Sequence, residues 1–115
     1  MAYILANAFS GGMLANIPAG ELRFEWITEE EAIAELTELY ERGLLESIVG
    51  HEPTAVVLSE RLGFPVELHR VRYLAYPGDI IYVAQVLERL PVTAGELTEE
   101  QIRTVPIGWL VVEVL

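Results

Sequence analysis

The sequence predicts one compact α+β domain spanning residues 1–115, with helices covering a mixed, largely antiparallel sheet. Three observations carry that expectation. Hydrophobic residues make up 52% of the 115, enough for a buried core. The spacing of apolar residues switches between the period of a strand and that of a helix along the chain. The segments so defined mix strands and helices with no internal repeat, low-complexity tract or linker, which points to layered α+β architecture.

The first element is the apolar run Tyr3 to Ala6, a buried central strand, and Asn7 with Gly11 and Gly12 marks the loop leaving it. "ELRFEWI" alternates Leu22, Phe24 and Trp26 with Arg23 and Glu25, the period of a half-buried hairpin arm or edge strand. "TEEEAIAELTELYERG" predicts a helix capped by Thr28, with Glu31 closing a capping box, Glu29 and Glu30 in the positive first turn, and Gly43 ending it. Its apolar stripe is Ile33, Leu36, Leu39 and Tyr40, and its acidic face reads as solvated. After the short apolar stretch "LLESIVG", "HEPTAVVLSERLG" starts a second helix with Pro53 near its first position and stops it at Gly63. "HRVRYLAYPGDIIYVAQVLERLP" alternates on both sides of Pro77-Gly78, and so predicts a long antiparallel hairpin. Glu88 to Leu90 fits either a strand end or a helical turn. Thr98 opens another short capping box, and "IGWLVVEVL" reads as a final strand.

Composition narrows the function. No apolar run approaches the ~20 residues that span a bilayer, and the N-terminus lacks a signal-peptide pattern, so a cytoplasmic protein without a membrane partner is expected. Without cysteine there is no disulfide framework, thiolate metal site or cysteine nucleophile. Eighteen acidic residues against seven basic ones give a net charge of −11, which argues against binding duplex DNA non-specifically but leaves room for a small anion at a focused site. All seven basic residues are arginines, suited to bidentate contact with phosphate.

The candidate chemistry gathers around His51. A helix beginning near Pro53 directs free N–H groups and the positive end of its dipole toward the preceding loop, a natural seat for an anion. A histidine there can donate to a phosphate oxygen and transfer a proton near neutral pH, or it can simply cap or pack. Thr54 adds a hydroxyl in the same turn. His69 stands beside Arg70 and Arg72, which strand alternation would put on one face, either as a positive patch or paired with glutamates. Gln85 and Arg89, four apart, would share a face in strand or helix. Phosphate-loop, dinucleotide and zinc-protease motifs are absent, and two histidines 18 positions apart with the single aspartate Asp79 make a poor metal cluster, so no metal or cofactor is expected.

Taken together, "YILANAFS", "SIVGHEPTAVVLSERLG", "HRVRYLAYPGD" and "IYVAQVLERL" resemble the viral anti-CRISPR ring nucleases of type III immunity and their bacterial and phage relatives, over almost the whole chain. The resemblance implies a homodimer that binds cyclic tetra-adenylate across its two-fold interface and cleaves it without metal. It makes His51 the general acid and puts Asn7, Ser10, Thr54, Arg70, Gln85 and Arg89 around the ring. It also implies location in the cytoplasm, that of the host cell if the protein is viral. The alternative within the same fold is a sponge that holds the ring and barely cuts it. One departure stands out: the family's catalytic glutamate commonly follows the arginine-leucine pair closely, whereas Arg89-Leu90 is followed by Pro91-Val92-Thr93. Glu88 and Glu96 are the nearest carboxylates, with Glu88 the better placed to act as the catalytic partner.

Overall fold

The computed structural model describes residues 1–115. Five strands, β1 (Tyr3–Ala6), β2 (Leu22–Ile27), β3 (Leu45–Ser47), β4 (Ile80–Val86) and β5 (Ile107–Val114), form one mixed sheet in the order β2-β5-β4-β1-β3. β1 pairs parallel with β3 and β4, whereas β5 runs antiparallel to both β4 and β2. The sheet is mixed, as expected, but its pairings divide evenly between parallel and antiparallel. Four strands therefore point one way and only β5 is reversed.

Three helices, α1 (Glu29–Glu41), α2 (Glu52–Leu62) and α3 (Glu99–Thr104), complete the chain. Both predicted capping boxes form: Thr28 with Glu31 opens α1, and Thr98 with Gln101 opens α3. α2 ends where Gly63 turns left-handed at φ 82°, a conformation that favours a residue without Cβ.

α1 and α2 cover one face of the sheet. Leu36, Leu39, Leu58 and Leu62 pack there on Leu5, Tyr82, Ala84 and Trp109. Each fully buried side chain of this kind contributes about 1.5–3 kcal/mol. Arg61 locks the helical layer together by donating to the Glu29 carboxylate at 2.7 and 3.1 Å and to the carbonyls of Ile102 and Val105 at 3.2 and 2.9 Å.

The opposite face has no α-helix on it. Ile4, Ala6, Ile81, Val83, Val112 and Val114 are covered there by Ala75, by Met13 of a single 3-10 turn and by loop residues such as Phe9 and Ile17. Over β2 this cover runs out. Leu22, Phe24 and Trp26 lie opposite Val114, Val112 and Leu110 and are 42%, 65% and 56% exposed, so the alternation that predicted a half-buried strand leaves its apolar side bare. β2 is an edge strand, as one of the two sequence readings had it.

The predicted hairpin does not form. Tyr76 to Asp79 does make a turn, with Gly78 at φ 97°, but the residues ahead of it are irregular. Both edges of β4 are taken by β1 and β5, so the alternating stretch before the turn has no strand to pair with. It instead runs as a strap past the β3 edge, with the His69 N–H donating to the Val49 carbonyl and the Ser47 hydroxyl donating to Glu67. The strap blunts that edge and carries Arg70 to the end of β3.

Candidate functional site

Because β3, β1 and β4 are adjacent and parallel, their C-terminal ends open on one side of the sheet. The chain leaves β1 into Asn7, β3 into Gly50-His51, and β4 into Leu87-Glu88. Ligands in open sheets with parallel strands characteristically bind beyond the carboxyl ends of those strands.

His51 is the residue immediately before α2, in extended conformation, and its side chain makes no capping bond. Its Nδ1 instead lies 2.8 Å from the Thr54 hydroxyl, one helical turn on. Pro53 brings no N–H to that turn, so Glu52 and Thr54 supply the N–H groups ahead of the first helical bond, which Ala55 donates to the His51 carbonyl at 3.0 Å. Asn7 reaches across from β1, its Oδ1 accepting from the Gly50 N–H at 3.2 Å. That bond engages the amide oxygen, while the Asn7 NH₂ group makes no hydrogen bond within the chain.

Two shallow depressions meet here and share Asn7 and His51. One, of about 440 Å³, is completed by Ala6, Ala8, Met13, Ile48, Gly50, Arg70 and Val71. The other, of about 200 Å³, adds Thr54, Gln85, Val86, Glu88 and Leu90. Arg70 thus lines one of the depressions that His51 shares, and Glu88 lines the other. Arg70, Arg72 and Arg89 form no ion pair although the chain has 18 acidic residues, since the only two pairs are Arg42 with Glu38 and Arg61 with Glu29. Arg70 is consequently free to meet an external anion. No group of three histidine, aspartate or glutamate side chains converges as metal ligands would.

Groups with displaced ionisation lie away from this site. Burial and a hydrogen bond to Glu35 push the Tyr82 hydroxyl well above its ordinary range. At the opposite end of the sheet, burial acts to raise Asp79, but donation from the Tyr73 hydroxyl and from the Tyr76 and Ala2 N–H groups outweighs it and holds the carboxyl below its usual value. The same burial and contact raise Tyr73.

Of the residues singled out from the sequence, His51, Asn7, Thr54, Arg70, Gln85 and Glu88 come together. Ser10 and Arg89 do not line either depression. Ser10 is exposed at the start of a 3-10 turn, Gly11–Leu14, and its carbonyl accepts the Met13 N–H. Arg89 lies beyond the end of β4 at Val86, where the chain is irregular, so the regular spacing expected to align it with Gln85 is absent. Arg70 and Arg72 are not alternating strand residues, and only Arg70 reaches the site. His69 is held by the Ser47 carbonyl at 3.1 Å, a packing role. The sequence reading drew no spatial role from Gly50: a Cβ there would meet Arg70 Cγ at 3.1 Å, so that the arginine stem would have to give by a few tenths of an ångström. Its signal was the close approach that a glycine beside a histidine at a helix start permits. Met13 was missed because nothing local ties that turn to the end of β3.

Comparison with known proteins places this arrangement in context. The family described as STIV B116-like matches residues 3–109. Among solved structures, the fold is similar to that of B116 of Sulfolobus turreted icosahedral virus, at 24% identity, a TM-score of 0.79, and coverage of 98% of this chain and 99% of that one. No curated protein matches the chain.

Proposed function

The chain belongs to the STIV B116-like family, and from the grouping around His51 we propose that it is a metal-independent ring nuclease that binds and cleaves cyclic tetra-adenylate, so shutting off type III CRISPR signalling in the cytoplasm. The observation that carries this reading is one imidazole flanked by Arg70, Asn7 and Gln85, which can hold phosphate and base groups, and by Glu88, which can accept a proton. A ribose 2′-OH attacks the adjacent phosphorus, forming the O2′–P bond as the P–O5′ bond breaks. The 2′-OH proton passes to Glu88, and His51 delivers one from Nε2 to the leaving O5′. The helix start, the Asn7 amide and Arg70 stabilise the charge that grows on phosphorus. Such a focused site accommodates an anion on a chain of net charge −11.

The site is proposed to act as a homodimer. Both depressions are open and shallow, and a second copy on the helix-free face would enclose a two-fold symmetric ring while doubling the arginines and helix starts. What supports this is continuity: Gln85 lies on that face opposite Gly108, and the Trp26 ring covers Gly108 as the bare apolar stripe of Phe24 and Trp26 begins.

A sponge is the alternative, favoured by one observation. No carboxylate follows Leu90 closely, and Glu96 is engaged by the Thr93 hydroxyl at 2.8 Å. Incubation of the protein with labelled cyclic tetra-adenylate and EDTA decides between them: a linear product accumulating at a rate proportional to protein supports the nuclease. Stoichiometric retention of intact ring supports the sponge, and neither result is compatible with a protein that ignores the ring.

A further inference from the structure

We infer that Thr54 serves the proposed chemistry as a positioning residue for His51, and not as a contact to the ring; this rests on the nuclease reading above. Thr54 is 4% exposed, so almost none of it reaches a ligand. Its hydroxyl is already engaged by His51 Nδ1 at 2.8 Å. The two residues are the N-cap and the third residue of α2, positions whose side chains face each other over the first turn of a helix. In an ordinary capping box each would bond to the other's backbone N–H; here the side chains bond to each other, and the helix start gives up its side-chain cap to fix an imidazole.

The consequence is chemical. With Nδ1 occupied, Nε2 is the ring nitrogen left to the depressions that His51 lines. In the imidazolium form Nδ1–H donates to Thr54 Oγ1 while Nε2–H faces the leaving oxygen. Once that proton has moved to O5′, the ring keeps its Nδ1 hydrogen and the same bond. Thr54 therefore keeps its bond to Nδ1 through the transfer: its oxygen accepts while Nδ1 carries a hydrogen, and its hydroxyl can donate to Nδ1 when that nitrogen is bare, so the ring orientation is held in either state. The charged groups sharing the depressions with the ring are Arg70 from the strap and Glu88 beyond β4, with Glu52 next in the chain; Thr54 is neutral and acts on orientation rather than charge.

The test compares Thr54→Val, which keeps the shape, and Thr54→Ala with Thr54→Ser, which keeps the hydroxyl. In ¹⁵N-histidine spectra of the ligand-free protein in mild acid, the Nδ1 hydrogen of the His51 imidazolium, donated to the Thr54 oxygen, should be protected from solvent exchange and visible in the wild type and in Thr54→Ser. It should exchange too fast to be seen in the other two. With cyclic tetra-adenylate, Thr54→Val should lower the single-turnover rate by about 10- to 100-fold while affinity stays within about twofold, and Thr54→Ser should restore the rate. An Nδ1 hydrogen equally protected in both hydroxyl-free variants overturns the assignment, whether or not the wild type cleaves the ring. Loss of affinity with an undiminished rate at saturation overturns it too, by making Thr54 a ring contact.

Discussion

The side-chain stem of Arg70 rests on the backbone of Gly50, so close that a methyl group at residue 50 would come within 3.1 Å of Arg70 Cγ. The stem of Arg70 is thus packed against a residue with no side chain. Gly50→Ala should displace it, lowering ring affinity by about tenfold while the thermal midpoint stays within a few degrees, and Arg70→Ala should lower it by about 10- to 100-fold as a charge-assisted contact is lost. Calorimetric titration with a thermal melt checks both, and equal affinities in folded variants would remove Arg70 from the ring.

His51→Ala should leave ring binding largely intact and reduce the single-turnover rate by at least about 100-fold, since the imidazole is needed for proton transfer more than for holding phosphates. Parallel losses of rate and affinity would instead make His51 a binding group.

Glu88 lines the depression beside His51, whereas Glu96 is tied to Thr93. Glu88→Ala should slow cleavage by about tenfold or more and Glu96→Ala by less than about twofold. Single-turnover kinetics of the two variants rank them, and a larger loss at Glu96 reverses the assignment.

Asp79 is 3% exposed and accepts three hydrogen bonds, from Ala2, Tyr73 and Tyr76. Its carboxyl is held below the usual value, so the stability it adds is complete above the unfolded pKa of about 3.9 and is lost as pH falls through the lower folded value. Asp79→Asn should cost about 1–3 kcal/mol at neutral pH and flatten the stability profile in acid. Denaturant titrations at pH 7 and pH 3 give both numbers; a profile as steep in the variant as in the wild type rules this carboxylate out as its source.

If the stripe on β2 is covered by a second copy, Phe24→Glu with Trp26→Glu should yield a folded monomer in sedimentation and weaken ring binding by more than about tenfold, because both halves of the pocket are needed. A dimer that survives both changes must use another surface.

Local signals were legible from sequence, and distant pairings were not. Thr28 with Glu31 and Thr98 with Gln101 announce helix starts because the capping partners sit three residues apart. His51 and Thr54 were found for the same reason. The strap was misread as a hairpin arm because the alternation from His69 to Ala75 says nothing about whether a neighbouring strand has a free edge. Alternation likewise assigned β2 an apolar side but could not say that no helix lies on it. Arg89 was set beside Gln85 on the expectation of a regular segment, strand or helix, and around the ring by the family resemblance, whereas the chain is irregular beyond Val86 and Glu88 lines the depression there.

The order in which these strands are made also matters. Ala2 and Asp79, which hydrogen-bond at the foot of β1 and β4, are 77 residues apart in the chain. At translation speeds of about 5–20 residues per second, β1 waits roughly 4 to 15 s for its long partner, and longer for β5 to close the sheet. During that interval β3 offers it only three residues of pairing. The nascent chain can build α1 and α2 early but has almost nothing to lay them on. Its vulnerable period is therefore the first two-thirds of synthesis, and assembly of the sheet is a late, concerted event with the slow kinetics expected of distant pairings.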